Sequence, residues 1–506
     1  MGATSKVEGP DFAAGIAASS LADGATISGH VGDEAVLLSR RGGALFAVSG
    51  GCTHYGAPLG HGLVEGDRVH CPWHHACFSL RTGEALAAPA IDALKRWRVE
   101  ERDGRVFVRE PETAALPKKS VSKQAPARIV IIGGGAAAFS AAEMLRRRGY
   151  DGSLTLLSSD QAPPCDRPNL SKDYLAGEAP PEWIPLKALK FYRDNRIDLR
   201  LQTTVAEIEP RERRVVTASG ETLSYDALLL ATGASPIRLD GFDHPGAHTL
   251  RSLADADALI AAAAKAQHAV VIGAGFIGLE TAAALRSRGL DVDVVTPDEA
   301  PLVRVLGPEV GRLVRAIHEE HGVRFHLGQS AERFDGARVH LKGGQTLGAD
   351  LVVVGVGVRP NTELAAQAGL AVSKGVEVDA FMRTSDPNIY AAGDIAAFPD
   401  GPSGQRARVE HWVVAERQGQ VAALNMLGGS ERYAATPFFW SAHYDQTLRY
   451  VGYAPGWDKV DVDGSIAARD FTARYSHGGR LLAAVSLNRD RENLEIEQQL
   501  DAARRG

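Results

Sequence analysis

The sequence predicts a multidomain protein with a small all-β domain, a larger α/β region built on parallel sheets, and an α+β domain at the C-terminal end. Up to about residue 112, short apolar runs alternate with glycine-rich turns, as in a small sheet domain. From Ala127 onward, apolar strands alternate with alanine-rich helices, which is typical of parallel α/β architecture. After about residue 435 the pattern becomes β-rich again, and one helix is predicted from Arg491 onward.

The composition argues against several classes of function. A chain of 506 residues is long enough for about three or four domains. Its 56 basic and 62 acidic residues give a net charge of −6, which argues against nucleic-acid binding as the main task. No apolar run approaches the roughly 20 residues of a membrane span, and the first residues lack the pattern of a signal peptide. The low count of 4 cysteines indicates a reducing compartment, so we expect a cytoplasmic protein.

Two short motifs in the all-β region carry ligands for a metal centre. They are Cys52-Thr-His54 and Cys71-Pro-Trp-His74, and each offers one thiolate and one imidazole. Two thiolates on one iron and two imidazoles on the other would hold a [2Fe–2S] cluster, and the spacing resembles that of the Rieske family. A zinc site is the alternative, although the C-x-H spacing is unusual for zinc. Three nearby histidines are expected at the surface or behind the ligands: His61, His70 and His75.

The first glycine-rich loop has the form Gly133-x-Gly135-x-x-Ala138, after a predicted strand and before a predicted helix. Glycines at such a turn let a pyrophosphate approach the helix N-terminus, where free N–H groups and the helix dipole favour negative charge. The following strand ends near Asp160, which we expect to hold a ribose hydroxyl, with Ser159 as the competing candidate. This segment therefore predicts a dinucleotide site.

A second loop, Gly273-x-Gly275-x-x-Gly278, repeats the strand–loop–helix pattern about 140 residues later. The strand that follows ends at Thr296, where enzymes that prefer NAD usually carry an acid. The next arginine, Arg304, is eight residues further on and does not follow at once. We therefore predict a second dinucleotide site, for NADH or NADPH, with a modest preference for NADH.

Two further segments complete the first site. One is a buried strand that ends at Ala231-Thr-Gly233, and the other is Gly393-Asp394, where an acid follows a strand. Together with the two glycine loops, these segments resemble the flavoproteins that bind two dinucleotides, FAD first and NAD(P)H second. The resemblance implies that Asp394 lies near the ribitol of FAD.

The run Arg167-Pro-Asn-Leu-Ser-Lys172 is similar to the ferredoxin-reductase branch of those flavoproteins. Disulfide reductases carry a cysteine pair in this region, whereas Cys165 has no partner cysteine here. The resemblance implies that Arg167 contacts FAD, and that Lys172 lies beside the isoalloxazine and near Glu280. It also implies that aromatic residues border the flavin, and two are assigned to it: Trp412 and Trp440.

From about residue 30 to 500 the chain resembles the apoptosis-inducing-factor-like flavoproteins that carry an N-terminal Rieske domain. Two positions depart from the family pattern: His75, where glycine is usual, and Thr296. The predicted parts are a Rieske domain (1–112), a linker (113–126), an FAD domain (127–249 and 374–434), an NAD(P)H domain (250–373) and a C-terminal reductase domain (435–506).

The expected activity is that of an NAD(P)H-dependent FAD oxidoreductase. NAD(P)H passes a hydride to FAD, and single electrons then pass through the cluster to an acceptor. Lys172 and Glu280 are the expected catalytic ion pair. The acceptor stays open between an oxygenase, a cytochrome P450, a quinone and dioxygen. One alternative is a redox-sensing or interaction flavoprotein with little steady-state turnover, and another has the cluster accept electrons from elsewhere, with the flavin as terminal oxidase.

Overall fold

The computed structural model describes residues 8–112, 125–401 and 404–505. Contacts divide the described residues into two compact units, one of residues 8–112 with 489–504 and one of residues 125–401 with 404–488. Almost all of the predicted linker lies outside the described residues. Within the described ranges, no helix is long and apolar enough to cross a membrane.

The first unit consists mainly of two antiparallel sheets. A six-stranded sheet has the order β1-β10-β9-β4-β3-β2, and a four-stranded sheet has the order β5-β6-β7-β8. Buried apolar side chains form the core of this unit, including Phe12, Leu38 and Trp97. The strands are β1 Ile16–Ala17, β2 Thr26–Val31, β3 Glu34–Arg41, β4 Ala44–Ser49, β5 Leu63–Glu65, β6 Arg68–His70, β7 Cys77–Ser79, β8 Ala85–Ala87, β9 Arg96–Arg102 and β10 Arg105–Pro111.

The second unit contains two five-stranded parallel sheets with matching layouts. The strand before each glycine loop lies in the centre of its sheet, in the orders β13-β12-β11-β17-β29 and β19-β26-β20-β21-β22. After its first residue, each central strand is a continuous apolar run, as expected for a sheet that is buried on both faces. In the second sheet, Val270 and Ile272 pack with Phe334 and Val339 of a small antiparallel sheet. The strands of these two sheets and of the smaller two- and three-stranded sheets in this part of the chain are β11 Arg128–Ile132, β12 Ser153–Leu157, β13 Asp198–Arg200, β14 Val205–Glu209, β15 Arg214–Thr217, β16 Thr222–Ser224, β17 Ala227–Leu230, β18 Ala234–Pro236, β19 Ala247–His248, β20 His268–Ile272, β21 Asp291–Thr296, β22 Val323–Leu327, β23 Ala331–Phe334, β24 Arg338–Leu341, β25 Thr346–Gly348, β26 Leu351–Val354, β27 Val358–Pro360, β28 Val376–Glu377, β29 Ile389–Ala391, β30 Ala396–Asp400 and β31 Gln405–Ala407.

Helices of this unit connect the parallel strands, and an antiparallel sheet of order β32-β33-β36-β35-β34 follows them. The helices are α1 Ala136–Arg147, α2 Arg167–Leu170, α3 Asp173–Ala176, α4 Leu189–Asp194, α5 Leu253–Ala263, α6 Phe276–Ser287, α7 Val303–Glu320, α8 Glu363–Gln367 and α9 Trp412–Met426. The last strands are β32 Phe438–His443, β33 Gln446–Gly452, β34 Lys459–Ser465, β35 Asp470–His477 and β36 Arg480–Leu487. The predicted fold classes, all-β, then parallel α/β, then α+β, are confirmed.

The terminal helix, α10 Asp490–Arg505, begins within one residue of its predicted start. The sequence grouped it with the C-terminal reductase domain, 435–506. By contacts, residues 489–504 group with the first unit. The predicted domain boundaries stay predictions.

Candidate functional site

The first glycine loop connects strand β11 to helix α1. Gly133 has φ 131°, and a Cβ added there would lie 2.1 Å from the Ala231 carbonyl oxygen, so only glycine fits. Helix α1 follows Gly135, and among the described residues no side chain caps it. Its first N–H groups can therefore bind a pyrophosphate. Ala138 is fully buried within α1.

One cavity of about 460 Å³ extends from this loop and is formed by residues of the second unit. Most of the residues predicted for the flavin site line it, together with Glu280. They are Gly133, Gly135, Asp160, Arg167, Lys172, Ala231, Gly233, Glu280, Gly393, Asp394, Trp412 and Trp440. The structure thus brings together side chains from segments that lie far apart in the sequence. Their contacts with a bound cofactor stay predictions.

Two ion pairs lie in the wall of the cavity. Arg167 Nη2 donates to Asp160 Oδ2 over 3.3 Å, and Arg251 Nη2 donates to Asp394 Oδ2 over 2.6 Å. Burial and the nearby charge of Arg251 lower the pKa of Arg167, yet a guanidinium remains charged at neutral pH. Both cations suit a dinucleotide phosphate. Sequence reasoning missed Arg251, which belongs to no motif.

Lys172 and Glu280 form a buried ion pair in the same cavity. Lys172 Nζ donates to Glu280 Oε2 over 2.7 Å and to the Pro168 carbonyl oxygen over 3.1 Å. The two side chains are only 13% and 5% exposed. A charge removed from water to this extent needs its partner. The sequence prediction that these two residues lie together is supported by this geometry, while their catalytic role stays a prediction.

Two serines that were not predicted hold the Glu280 carboxylate. Ser171 Oγ donates to Oε2 over 2.6 Å, and Ser441 Oγ donates to Oε1 over 2.6 Å. Both carboxylate oxygens are therefore fixed, and one serine comes from the loop between α2 and α3 while the other comes from strand β32. Ser171 lies within the Arg167–Lys172 run, and Ser441 directly follows Trp440, so each serine lies in or beside a segment already assigned to the flavin site.

Aromatic side chains line the cavity beside this pair. Trp412 is the first residue of helix α9, and Trp440 lies in strand β32. Phe439 packs against His411 and Phe276, with ring centroids 4.3 Å and 4.6 Å apart. Burial lowers the pKa of His411 to about 4, so this ring is neutral at physiological pH. The wall is therefore apolar and aromatic, which suits a flat heterocycle.

The second glycine loop repeats the geometry of the first. Gly273 has φ 105°, and an added Cβ would lie 2.4 Å from the Gly355 carbonyl oxygen. At Gly278 an added Cβ would lie 2.3 Å from the Gly273 carbonyl oxygen. Helix α6 begins after Gly275 without a side-chain cap among the described residues. This loop can therefore bind a second pyrophosphate.

The strand beside this loop ends at Thr296, which is buried. Thr296 Oγ1 accepts a hydrogen bond of 3.3 Å from the Asp298 backbone N–H. The Asp298 carboxylate binds Arg304 Nη2 over 2.6 Å. The Leu302 N–H donates to the Ala274 carbonyl oxygen, which places this segment against the glycine loop. Asp298 thus lies two residues beyond Thr296, the position where an acid is usual, and its carboxylate pairs with Arg304.

The predicted cluster ligands lie on two similar loops of the first unit. The Cys52 N–H donates to the Ala57 carbonyl oxygen over 2.9 Å, and the Cys71 N–H donates to the Ala76 carbonyl oxygen over 2.8 Å. These bonds close each loop around its ligands, and both cysteines are buried. Of the three histidines outside the pattern, His61 is exposed, whereas the other two are buried.

The four ligands form two pairs. The Cys52 and Cys71 thiols are within hydrogen-bonding reach, which together with burial raises the pKa of Cys52. His54 Nδ1 lies 3.1 Å from His74 Nδ1, a separation that suits two nitrogens each about 2.1 Å from one ion. Burial lowers the pKa of His54 to about 4, which favours the neutral, metal-binding imidazole. A sulfur pair and a nitrogen pair fit a cluster of two irons.

Comparison with known proteins agrees with this geometry. Residues 127–419 match the pyridine nucleotide-disulphide oxidoreductase family. The chain belongs to this family. Residues 13–98 match the Rieske [2Fe–2S] domain, and residues 438–505 match the reductase C-terminal domain. The predicted oxidoreductase activity, FAD, the Rieske cluster and NAD(P)H as co-substrate are confirmed.

Three relatives illustrate the range of this oxidoreductase family. Apoptosis-inducing factor 3 of Homo sapiens is 34% identical over 476 residues, which cover 90% of this chain and 78% of the relative. The ferredoxin–NAD(+) reductase component of an anthranilate 1,2-dioxygenase system of Burkholderia cepacia is 40% identical over 371 residues, 72% and 91% of the two chains. The covalent putidaredoxin reductase–putidaredoxin complex matches with a TM-score of 0.73 and 34% identity over 75% of this chain and 94% of that chain. Electron transfer from NAD(P)H through FAD to an acceptor is thereby confirmed as the function.

Proposed function

We propose that this oxidoreductase takes electrons from NADH at the cavity around Lys172 and Glu280, and passes them singly through its Rieske cluster to a component of an oxygenase system. The observation that carries the proposal is the presence of both the cavity and the paired ligands of Cys52, His54, Cys71 and His74 in one chain. The relative from an anthranilate dioxygenase system supports an acceptor of this kind. The cysteine content supports a cytoplasmic location.

The side chains orient the reactants and exclude water. A bound FAD would supply the chemistry that accepts a hydride from NAD(P)H and gives up single electrons, the form that a Rieske cluster would carry. The loops at Gly133 and Gly273 would hold the two pyrophosphates at helix N-termini. Ser171 and Ser441 hold Glu280, and Glu280 in turn holds Lys172 in the cavity where the flavin would bind. No general base is required, so orientation is the main contribution of these residues.

Turnover with NADH separates this proposal from its main alternative. We expect the purified protein to oxidise many equivalents of NADH when an artificial one-electron acceptor is present. A redox-sensing flavoprotein would be reduced once and would stay reduced. The similarity to apoptosis-inducing factor 3 extends through most of the chain, so this alternative deserves the direct measurement. A single turnover followed by a stable reduced form would contradict the proposal.

The cluster ligands can be tested apart from the flavin. Replacing His54 or His74 with alanine removes one nitrogen of the pair that lies 3.1 Å apart. We expect loss of the Rieske EPR signal with unchanged flavin absorbance, because the FAD loops lie elsewhere in the chain. Iron and acid-labile sulfide in the native protein should equal about two atoms each per FAD. Stoichiometric zinc without sulfide would contradict the cluster assignment.

Coenzyme choice should depend on the residues after strand β21. We expect a modest preference for NADH, because the Asp298 carboxylate repels a 2′-phosphate and also occupies Arg304. Asp298→Ala should free Arg304 and shift the ratio of kcat/KM toward NADPH by about tenfold, equivalent to about 1.4 kcal/mol. Thr296→Glu should sharpen the preference for NADH through charge repulsion.

Steady-state kinetics with both coenzymes measures these ratios. The double variant Asp298→Ala with Arg304→Ala is the control, because it removes the cation that the single variant exposes. A strong native preference for NADPH, or an unchanged ratio in Asp298→Ala, would show that these residues do not select the coenzyme.

A further inference from the structure

By its contacts, helix α10 belongs to the all-β unit that carries the cluster ligands. The chain reaches α10 only three residues after strand β36 ends at Leu487. One face of the helix is buried. After the first buried residue, the others follow one, three, four and seven positions later, as on one side of an α-helix. Its buried members are Asn493, Leu494, Ile496, Glu497 and Leu500.

His75 occupies an unusual position in the second ligand loop. It directly follows the ligand His74, and its N–H donates to the Cys71 carbonyl oxygen over 3.2 Å. Its φ of 60° lies in the left-handed region, which favours glycine. A histidine held in this conformation indicates that its side chain makes a contact that glycine could not make.

That contact is with Glu497. His75 Nδ1 lies 2.6 Å from Glu497 Oε2, and the two side chains are 0% and 2% exposed. The pair is separated by 422 positions in the sequence. Because the His75 backbone is bonded to one ligand and hydrogen-bonded to another, a shift at His75 moves both His74 and Cys71.

We propose that Glu497 is a positioning residue for the Rieske cluster. Through His75, helix α10 holds the loop that carries Cys71 and His74, so the last helix of the chain completes the cluster-binding unit. This inference rests on the electron route proposed above, because it assigns helix α10 a role in positioning the cluster, and the cluster is one carrier on that route. The His75–Glu497 contact influences the geometry of the ligands, and with it the spectrum of the cluster and the rate at which the cluster accepts electrons.

Two substitutions test the contact in the full-length protein. Glu497→Gln keeps the shape of the helix residue, and His75→Gly suits the left-handed backbone while it removes the side chain. We expect both to shift the Rieske EPR g-values, measured after reduction with dithionite, and to slow reduction of the cluster by NADH by about tenfold, the low end for residues that orient metal ligands. Flavin reduction by NADH should stay at the native rate.

The matched control is Glu495→Gln on the same helix, because Glu495 is half exposed and pairs with Arg491. This variant should keep the native spectrum and rates. Hydrogen exchange provides a readout that does not depend on turnover: residues 490–505 should exchange faster in Glu497→Gln and in His75→Gly than in the control.

Native g-values, native cluster reduction and native hydrogen exchange in both variants would overturn the proposal. If Glu497→Gln loses its cluster altogether, the His75→Gly variant provides the test of the contact, because glycine adopts the left-handed backbone conformation at this position without strain. The dithionite measurement is independent of the flavin. If NADH reduces the flavin but never the cluster of the native protein, the proposed electron route fails, while the EPR comparison still tests the contact.

Discussion

Glu280→Ala should slow the reduction of FAD by NADH by about 100-fold, the effect expected when reacting groups lose their alignment. Glu280 is held by three donors, from Ser171, Lys172 and Ser441, and its side chain is 5% exposed. Without the carboxylate, Lys172 loses the partner that fixes it in the cavity. We expect FAD to be retained, because the loop at Gly133 does not depend on this pair. Stopped-flow absorbance under anaerobic conditions measures the rate, and the FAD-to-protein ratio measures retention.

Companion variants separate charge from shape. Lys172→Ala should slow the same step, whereas Glu280→Gln keeps hydrogen bonds to the serines but removes the charge. Removal of one partner from a buried ion pair costs about 3–5 kcal/mol, so thermal unfolding should be followed in each variant. The double variant Lys172→Met with Glu280→Met restores a neutral site and controls for that loss. Glu319→Ala, on the exposed face of helix α7, controls for general effects of mutagenesis and purification. Native reduction rates in both alanine variants would refute a role for the pair in the reaction.

The sequence could predict those features that lie within one short segment. The two glycine loops are local, because the positive φ of Gly133 and Gly273 is required by a turn between neighbouring elements. The ligand motifs are local as well, with one residue between Cys and His in the first loop and two in the second. Such features leave a pattern in the chain before any tertiary structure forms, so fold class, cofactors and ligand residues follow from them.

Pairs formed over long separations leave no such pattern. Ser441 and Glu280 are 161 positions apart, and Arg251 and Asp394 are 143 apart. Only the folded sheets bring them together, so sequence reasoning found one partner of each pair and missed the other. Asp298 escapes prediction for a different reason, because the sequence pattern places the acid at the strand end, whereas in this chain the acid follows two residues later. His75 was noted as a departure from the family pattern, but its reason lies in Glu497, at the far end of the chain.

The midpoint potential of the cluster should lie toward the low end of the Rieske range, on the order of −150 mV. High-potential Rieske proteins, which this domain resembles, carry two extra cysteines that bridge the ligand loops. Ala57 and Trp73 occupy those positions here. High-potential Rieske proteins also carry a serine two residues after the second histidine ligand. In this chain that residue is Ala76, which is fully buried. Alanine has no hydroxyl to donate to a sulfur, so the more negative reduced cluster is less stabilised and the potential falls.

Ala76→Ser supplies the missing donor at a position whose carbonyl oxygen already accepts from the Cys71 N–H over 2.8 Å. A hydroxyl that favours the reduced state tenfold over the oxidised state would raise the potential by about 59 mV. Ala76→Gly changes the side chain without adding a donor and serves as the control. Redox titration followed by EPR measures all three proteins. A native midpoint above roughly +100 mV, in the upper part of the family range, would contradict this argument and indicate a quinol-linked partner, because electrons that leave for an oxygenase component must leave from a low-potential centre.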